Sequence, residues 1–272
     1  MVERQLRPTG DTQVLASVSN AARLLKEFGK GDREIGVSEL ARRLGLGKST
    51  THRLLHTLTV ERLLEQDPET GSYRLALTMH ELGASMQSGM DLHTASHSII
   101  DQLRNMTKET IQVAVLDGRH VVYVERRESP QTVRMFGRVG HRNDAHCTST
   151  GKVLLAYLPE DDLDALLVGW RLPRKTPYTI ADQATLRAQL VAIRGQGWAE
   201  NVNESEIGTA SIAAPIRDSR GVVVAALSIA GPVQRLDGAN LRRFTRPAVE
   251  AAAAISRRLG WNDSASRKEG TR

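Results

Sequence analysis

The chain has 272 residues, 40% hydrophobic, 25% charged and 4% aromatic, with a formal net charge of +6. That length exceeds what one hydrophobic core usually organises and predicts two domains, and the composition excludes a disordered or fibrous chain. A single cysteine, Cys147, excludes an internal disulfide framework. No stretch approaches the roughly 18 apolar residues of a membrane span, and Met1 to Gly10 lacks the apolar segment of a secretory signal, so the cytoplasm is the expected location and no membrane partner is expected.

Positive charge favours approach to polyanions. Residues 1 to 75, however, hold 12 Lys or Arg against 10 Asp or Glu, so a nucleic-acid face there has to come from placement and not from bulk charge. Apolar residues at Val14, Val18, Ala21, Leu25 and Phe28 predict a first core helix ending near Gly29. A short helix follows, with Ser38 as candidate N-cap, Leu40, Ala41 and Leu44 facing inward, and Gly45 closing it. After the Gly45-Leu46-Gly47 turn, a third helix spans about Lys48 to Val60, with Thr51, Leu54, Leu55 and Leu58 on one face and Ser49, Thr50, His52, Arg53 and His56 on the other. Leu63 to Asp67 and Ser72 to Leu75 flank Pro68-Glu69-Thr70-Gly71 and read as a hairpin. Short helix, tight turn, polar-faced helix and hairpin wing together are the winged helix-turn-helix arrangement, whose second helix enters the major groove of DNA.

Helical patterns cover Thr78 to Met90, with Met79, Leu82 and Met86 recurring, and Asp91 to Lys108. The period then switches to strands at Ile111 to Leu116, Val121 to Glu125 and Thr132 to Phe136, expected as an antiparallel meander. Helices are predicted at Thr150 to Leu158, Asp161 to Val168, Ala181 to Ile193 and Asn240 to Leu259, and strands at Trp198 to Val202, Ala210 to Ile216 and Val222 to Ile229. Strand runs covered by helices give an α+β fold class. The expected organisation is a DNA-binding domain over 12–76, a helical linker over 77–108, an effector-binding domain over 109–260, and a disordered tail over 261–272.

Three stretches resemble the IclR family of bacterial transcription regulators: Gly47-Lys48-Ser49-Thr50-Thr51-His52-Arg53-Leu54-Leu55, His146 through Ala156, and Gly197 through Pro232. The last holds Glu204, Ile212-Ala213-Ala214-Pro215, Asp218 and Ser228-Ile229-Ala230-Gly231-Pro232. The resemblance covers about residues 12 to 260. It implies a GAF-like α/β effector domain, and a homodimer or dimer of dimers on palindromic double-stranded operator DNA. It also implies effector contacts near Ser149 and Thr150 and at Asn201, Ser211, Ser228 and Ala230. The best-known acid binders of the family carry Asp, Cys and Ser where this chain has Asn201, Ser211 and Ala230, so effector identity does not transfer.

The candidate DNA-binding residues are Lys48, Ser49, Thr50, Thr51, His52, Arg53 and His56, of which Arg53 suits phosphate or a bidentate guanine contact. Thr148, Ser149, Thr150 and Gly151 read first as a helix N-cap, and the same amides favour a carboxylate. Met135 and Arg138, in the loop running to His146, complete the candidate effector site. Arg134 and Arg142 are further candidates to neutralise an acid. A metal site at His141, Asp144, His146 and Cys147 fits no compact zinc spacing, and adjacent His146 and Cys147 with no orienting partner make a poor nucleophile and base. The expected function is therefore a ligand-responsive transcription regulator sensing a small organic or aromatic acid, not an enzyme, with no cofactor. The rival readings are a metal-responsive regulator and a small-acid enzyme with an accessory winged helix.

Overall fold

The computed structural model describes residues 14–87, 92–135 and 137–262. The chain divides into two compact units, residues 1–89 and 90–272.

The first unit runs α1 (Ala16–Phe28), α2 (Val37–Leu44), α3 (Lys48–Val60), β1 (Leu64–Gln66), β2 (Tyr73–Leu75) and α4 (Leu77–Gln87). Leu24, Leu40, Leu55 and Leu64 are fully buried and join the first three helices to the hairpin. The buried face of α1 is Ala21, Leu24, Leu25 and Phe28, whereas Val14 and Val18 are exposed, so the apolar periodicity overstated the inward stripe by one turn and more. Gly45 ends α2 in the left-handed region at φ 66°, where a side chain is strained, and turns the chain at once into α3. Ser38 is not the cap: Gly36 occupies that position in extended conformation, and Ser38 lies within the first turn. In the hairpin Leu64 faces Leu75, and the Asp67 side chain accepts from the amides of Glu69 and Thr70 to close the turn.

The second unit runs α5 (Leu92–Thr107), β3 (Thr110–Asp117), β4 (His120–Arg127), β5 (Arg142–Asp144), a 3-10 turn (Ala145–Cys147), α6 (Ser149–Ala156), α7 (Glu160–Leu167), α8 (Gln183–Gln196), β6 (Ala199–Val202), β7 (Thr209–Arg217), β8 (Val223–Pro232), α9 (Gly238–Arg243) and α10 (Thr245–Arg258). Its six strands form one antiparallel sheet in the order β5-β4-β3-β8-β7-β6. Alternate residues serve the two faces: Ile111, Val113, Ile212, Leu227 and Ile229 pack against α5 and α10, while Ala114, Ala213 and Ala226 pack against α6. Alanine on the second face lets α6 lie close.

Three expectations change here. Residues 132–135 form no strand, and Phe136 lies outside the described residues; β5 pairs with β4 instead. Pro130 has no amide to lend a ladder, and Ser129 ties back to the Lys108 carbonyl through its hydroxyl, so the edge of β4 is left to the chain from Gly140 onward. The final helix breaks at Phe244, because Pro247 lacks the amide that would bond Arg243 and its ring would strike that carbonyl. The segment expected as a linker divides: α4 belongs to the first unit and α5 packs on the sheet of the second. Of the expected tail, Trp261 and Asn262 are described, and the remainder lies outside the described residues, as do Met1 to Gly10.

Candidate functional site

On α3 the core claims Leu55 and Leu58 and leaves Lys48, Ser49, Thr50, His52, Arg53 and His56 exposed along one side. Thr51 is the exception among the expected DNA-binding residues. It is fully buried, and its hydroxyl donates to the Gly47 carbonyl at 3.1 Å. A side chain spent on its own helix in the core cannot reach a base edge, and the position follows from the spacing of Thr51 with Leu55 and Leu58. Glu39 on α2 holds Arg42 and Arg43 by side-chain hydrogen bonds at 2.6 and 2.7 Å, which keep its carboxyl low, at about 2.

In the second unit a cavity of about 100 Å³ opens between the start of α6 and the sheet. Thr148 caps α6, its hydroxyl accepting from the Gly151 amide at 3.1 Å. The Ser149 hydroxyl lies 2.7 Å from that of Ser211 on β7, tying helix start to sheet. Asn201, Ser211 and Ala230 face one another across β6, β7 and β8, and Ser228 pairs with Gln112 on β3, so short polar side chains cross four strands on one face. Of the expected effector residues, Met135, Thr148, Ser149, Asn201, Ser211, Ser228 and Ala230 line this cavity.

Arg138, Thr150 and Gly151 do not line it. Thr150 is buried within the helix packing. Gly151 answers a packing demand: a Cβ there would lie 2.1 Å from the Ala145 carbonyl oxygen, so only glycine lets the 3-10 turn cross α6. The cavity also takes Gln112 and Tyr123 from β3 and β4, Gly137 and His141 from the loop before β5, Asn143 from β5, Ser205 and Glu206 from the β6–β7 connection, and Thr209 and Ala210 from the start of β7. Sequence reasoning missed these. The signal for Gln112 was present, a polar residue inside the apolar run Ile111 to Val115.

Asn201 is already committed: its amide oxygen accepts from the Glu204 backbone at 3.0 Å and its amide nitrogen donates to Ser205 at 3.1 Å, shaping the loop over the cavity. That loop is pinned by a buried ion pair, Lys152 Nζ to Glu204 Oε1 at 2.5 Å. Burial pushes the Glu204 carboxyl up, opposed by Lys152. Burial also pushes the Cys147 thiol up, to about 12, and the His146 imidazole down, with its Nε2 against the Pro173 carbonyl at 3.1 Å. Neither is poised as nucleophile or base. Arg142 is held by Asp117, and Arg134 by Glu128. Among the described residues, no three His, Cys, Asp or Glu side chains gather as a metal cluster.

Two family models match the chain: the IclR helix-turn-helix domain over residues 17–68, and the bacterial transcriptional regulator IclR C-terminal domain over 84–257. The chain is 34% identical over 91% of its length to the HTH-type transcriptional regulator XynR of Escherichia coli, covering 98% of that protein. It is 35% identical over 92% of its length to KdgR of the same organism, covering 94%. Among solved structures it resembles an IclR homologue of Microbacterium hydrocarbonoxydans complexed with 4-hydroxybenzoate, at TM-score 0.79 and 27% identity, covering 90% of this chain and 99% of that one. It also resembles the Thermotoga maritima IclR, at TM-score 0.74 and 27% identity over 90% and 99% of the two chains. With an exposed recognition helix, a polar cavity at a helix start, and both family models matched in order along one chain, the protein belongs to the IclR family of transcriptional regulators.

Proposed function

We propose that this regulator reads DNA through Lys48, Ser49, Thr50, His52, Arg53 and His56, and senses a small acidic compound in the cavity beneath α6. The observation that carries the sensing half is convergence: residues from the Met135 loop, the α6 start and β6 to β8, far apart in sequence, meet around one cavity. Its wall is mostly hydroxyl and amide, with Met135, Ala210 and Ala230 as apolar surface, which suits a compact polar acid better than a bare aromatic ring. Helix-start amides supply an anion site, and the side chains of Ser211 and Ser228 can hydrogen-bond the ligand's far side. The complex of an IclR homologue with 4-hydroxybenzoate supports a small acid as the class of ligand.

In this reading residues 12–76 form the DNA-binding domain and 109–260 the sensor. The protein acts in the cytoplasm as a homodimer or dimer of dimers on a palindromic operator, since two half-sites about 34–36 Å apart give a symmetric protein both affinity and register. Met79 and Leu82 on α4 are candidate seam residues, and the Met86 side chain lies outside the described residues. No catalytic step is assigned: the thiol at Cys147 is raised and buried, and His146 is bonded to backbone. The test is Ser211→Leu, which fills the cavity. Ligand-free DNA affinity should persist while the change in affinity on adding an acidic effector is lost. A response of wild-type size would move the sensor site elsewhere.

A further inference from the structure

A β-bulge between Val113 and Ala114 decides where one buried charge points. On one side of it Ala114 faces Tyr123, and on the other Val113 faces Glu125 and Gln112 faces Arg126. Directly opposed residues of an antiparallel pair leave the same face, so Arg126 shares the face from which Gln112 lines the cavity. Tyr123 and Arg126, three positions apart, would point oppositely on a regular strand; the extra residue of the bulge brings both to the cavity face. The next residue, Arg127, leaves by the other face and is engaged there by Asp101 at 2.5 Å and His97 at 2.8 Å.

Arg126 is only 9% exposed. Its Nη2 donates to the Met135 carbonyl at 2.6 Å, while Nε and Nη1 have no hydrogen-bond partner among the described residues. A Cβ on Gly137 would lie 2.9 Å from Nη1, the movable end of the Arg126 side chain, so the chain here runs close against the guanidinium. Met135 and Gly137 are themselves cavity wall, so the cation lies against the wall without lining it. Glu128, the carboxylate whose field reaches Arg126, is half exposed and bonded to Arg134 at 3.3 Å. Burial accordingly pulls the Arg126 proton affinity down. The buried Lys152 shows the usual arrangement, a cation matched by a carboxylate. A buried cation without one destabilises the fold unless something else supplies the charge.

We propose that Arg126 is the counter-charge for a second acidic group on the effector, so that the cavity takes a short dicarboxylate with one end at the start of α6 and the other beside Met135 and Gly137. This rests on the cavity being the sensor site. The wall's own carboxylate, Glu206, is exposed, so water screens it, and it is not among the groups whose field reaches Arg126. His141, also on the wall, is exposed.

The experiment is titration of the full-length protein with matched pairs of acids, succinate against butyrate and malonate against propionate, at fixed ionic strength. Wild type should bind one dicarboxylate at least about tenfold more tightly than its partner. In Arg126→Met the ratio should fall to about one with butyrate or propionate binding retained, and the ligand-free melting temperature should hold or rise, because the charge removed had no carboxylate bonded to it. Arg126→Lys, which keeps the charge behind the cavity wall, should keep most of the preference. A wild-type ratio near one, binding of neither pair, a preference that survives in Arg126→Met, or an Arg126→Met protein that melts early and binds no acid overturns the assignment. Ser211→Leu in parallel separates the two readings. If it abolishes binding of every acid that wild type binds, the cavity stands even where Arg126 fails, and if it leaves binding unchanged the cavity itself is wrong.

Discussion

Arg53 and Thr51 sit two residues apart on one helix and have opposite fates. Thr51 is fully buried and bonds its own backbone, while Arg53 is exposed with His52 and His56 beside it. Arg53→Ala should therefore weaken operator binding by about 1–3 kcal/mol, the worth of one good base contact, without moving the melting temperature. A gel-shift titration at constant salt with a parallel melt checks both halves. Cys147 gives a second residue-level test. With its thiol pushed up to about 12 by burial, about one molecule in ten thousand is thiolate at pH 8. A thiol reagent should label the native protein slower than the unfolded chain by on the order of a thousandfold, the ratio of the two thiolate fractions. Rapid native labelling would mean that the loop before α6 is open.

The β6–β7 connection illustrates how one element is held over the cavity. Glu204 pairs with Lys152 of α6, its backbone amide donates to Asn201, and its carbonyl accepts from Thr179 at 2.6 Å. Removing one partner of such a pair strands the other, so Lys152→Met should cost about 3–5 kcal/mol, and combining it with Glu204→Gln should recover most of that loss. Denaturant unfolding of both single variants and the double variant measures the coupling. At this scale much was legible in the sequence. The helix from Lys48 to Val60 was readable to the residue because its apolar face, flanking glycines and polar face agree. The strand expected at Thr132 was not formed, because β propensity says nothing of which edge is free to pair. Asn201 and Ser211 reached the candidate site through family resemblance, and Ser228 also as a polar residue among the apolar neighbours of its strand. Arg126 was hidden: its direction depends on a bulge at Val124 in its own strand, set by the register with β3, which no local pattern encodes.

At the scale of the whole molecule, the helix-turn-helix and the six-stranded sheet belong to separate compact units of one chain, and regulation requires an effector to bind unequally to two arrangements of the protein. A symmetric operator needs a symmetric protein, so light scattering at micromolar concentration should give a dimer or larger; a monomer with full operator affinity would contradict that part. The central claim is that one cavity, at the start of α6, controls DNA binding by the α3 face. The most direct measurement is operator affinity with and without an acidic effector in wild type and in Ser211→Leu. The account predicts equal ligand-free affinities, a ligand-dependent change in wild type of about 5- to 150-fold, and none in the variant. An equal ligand response in both proteins would contradict it.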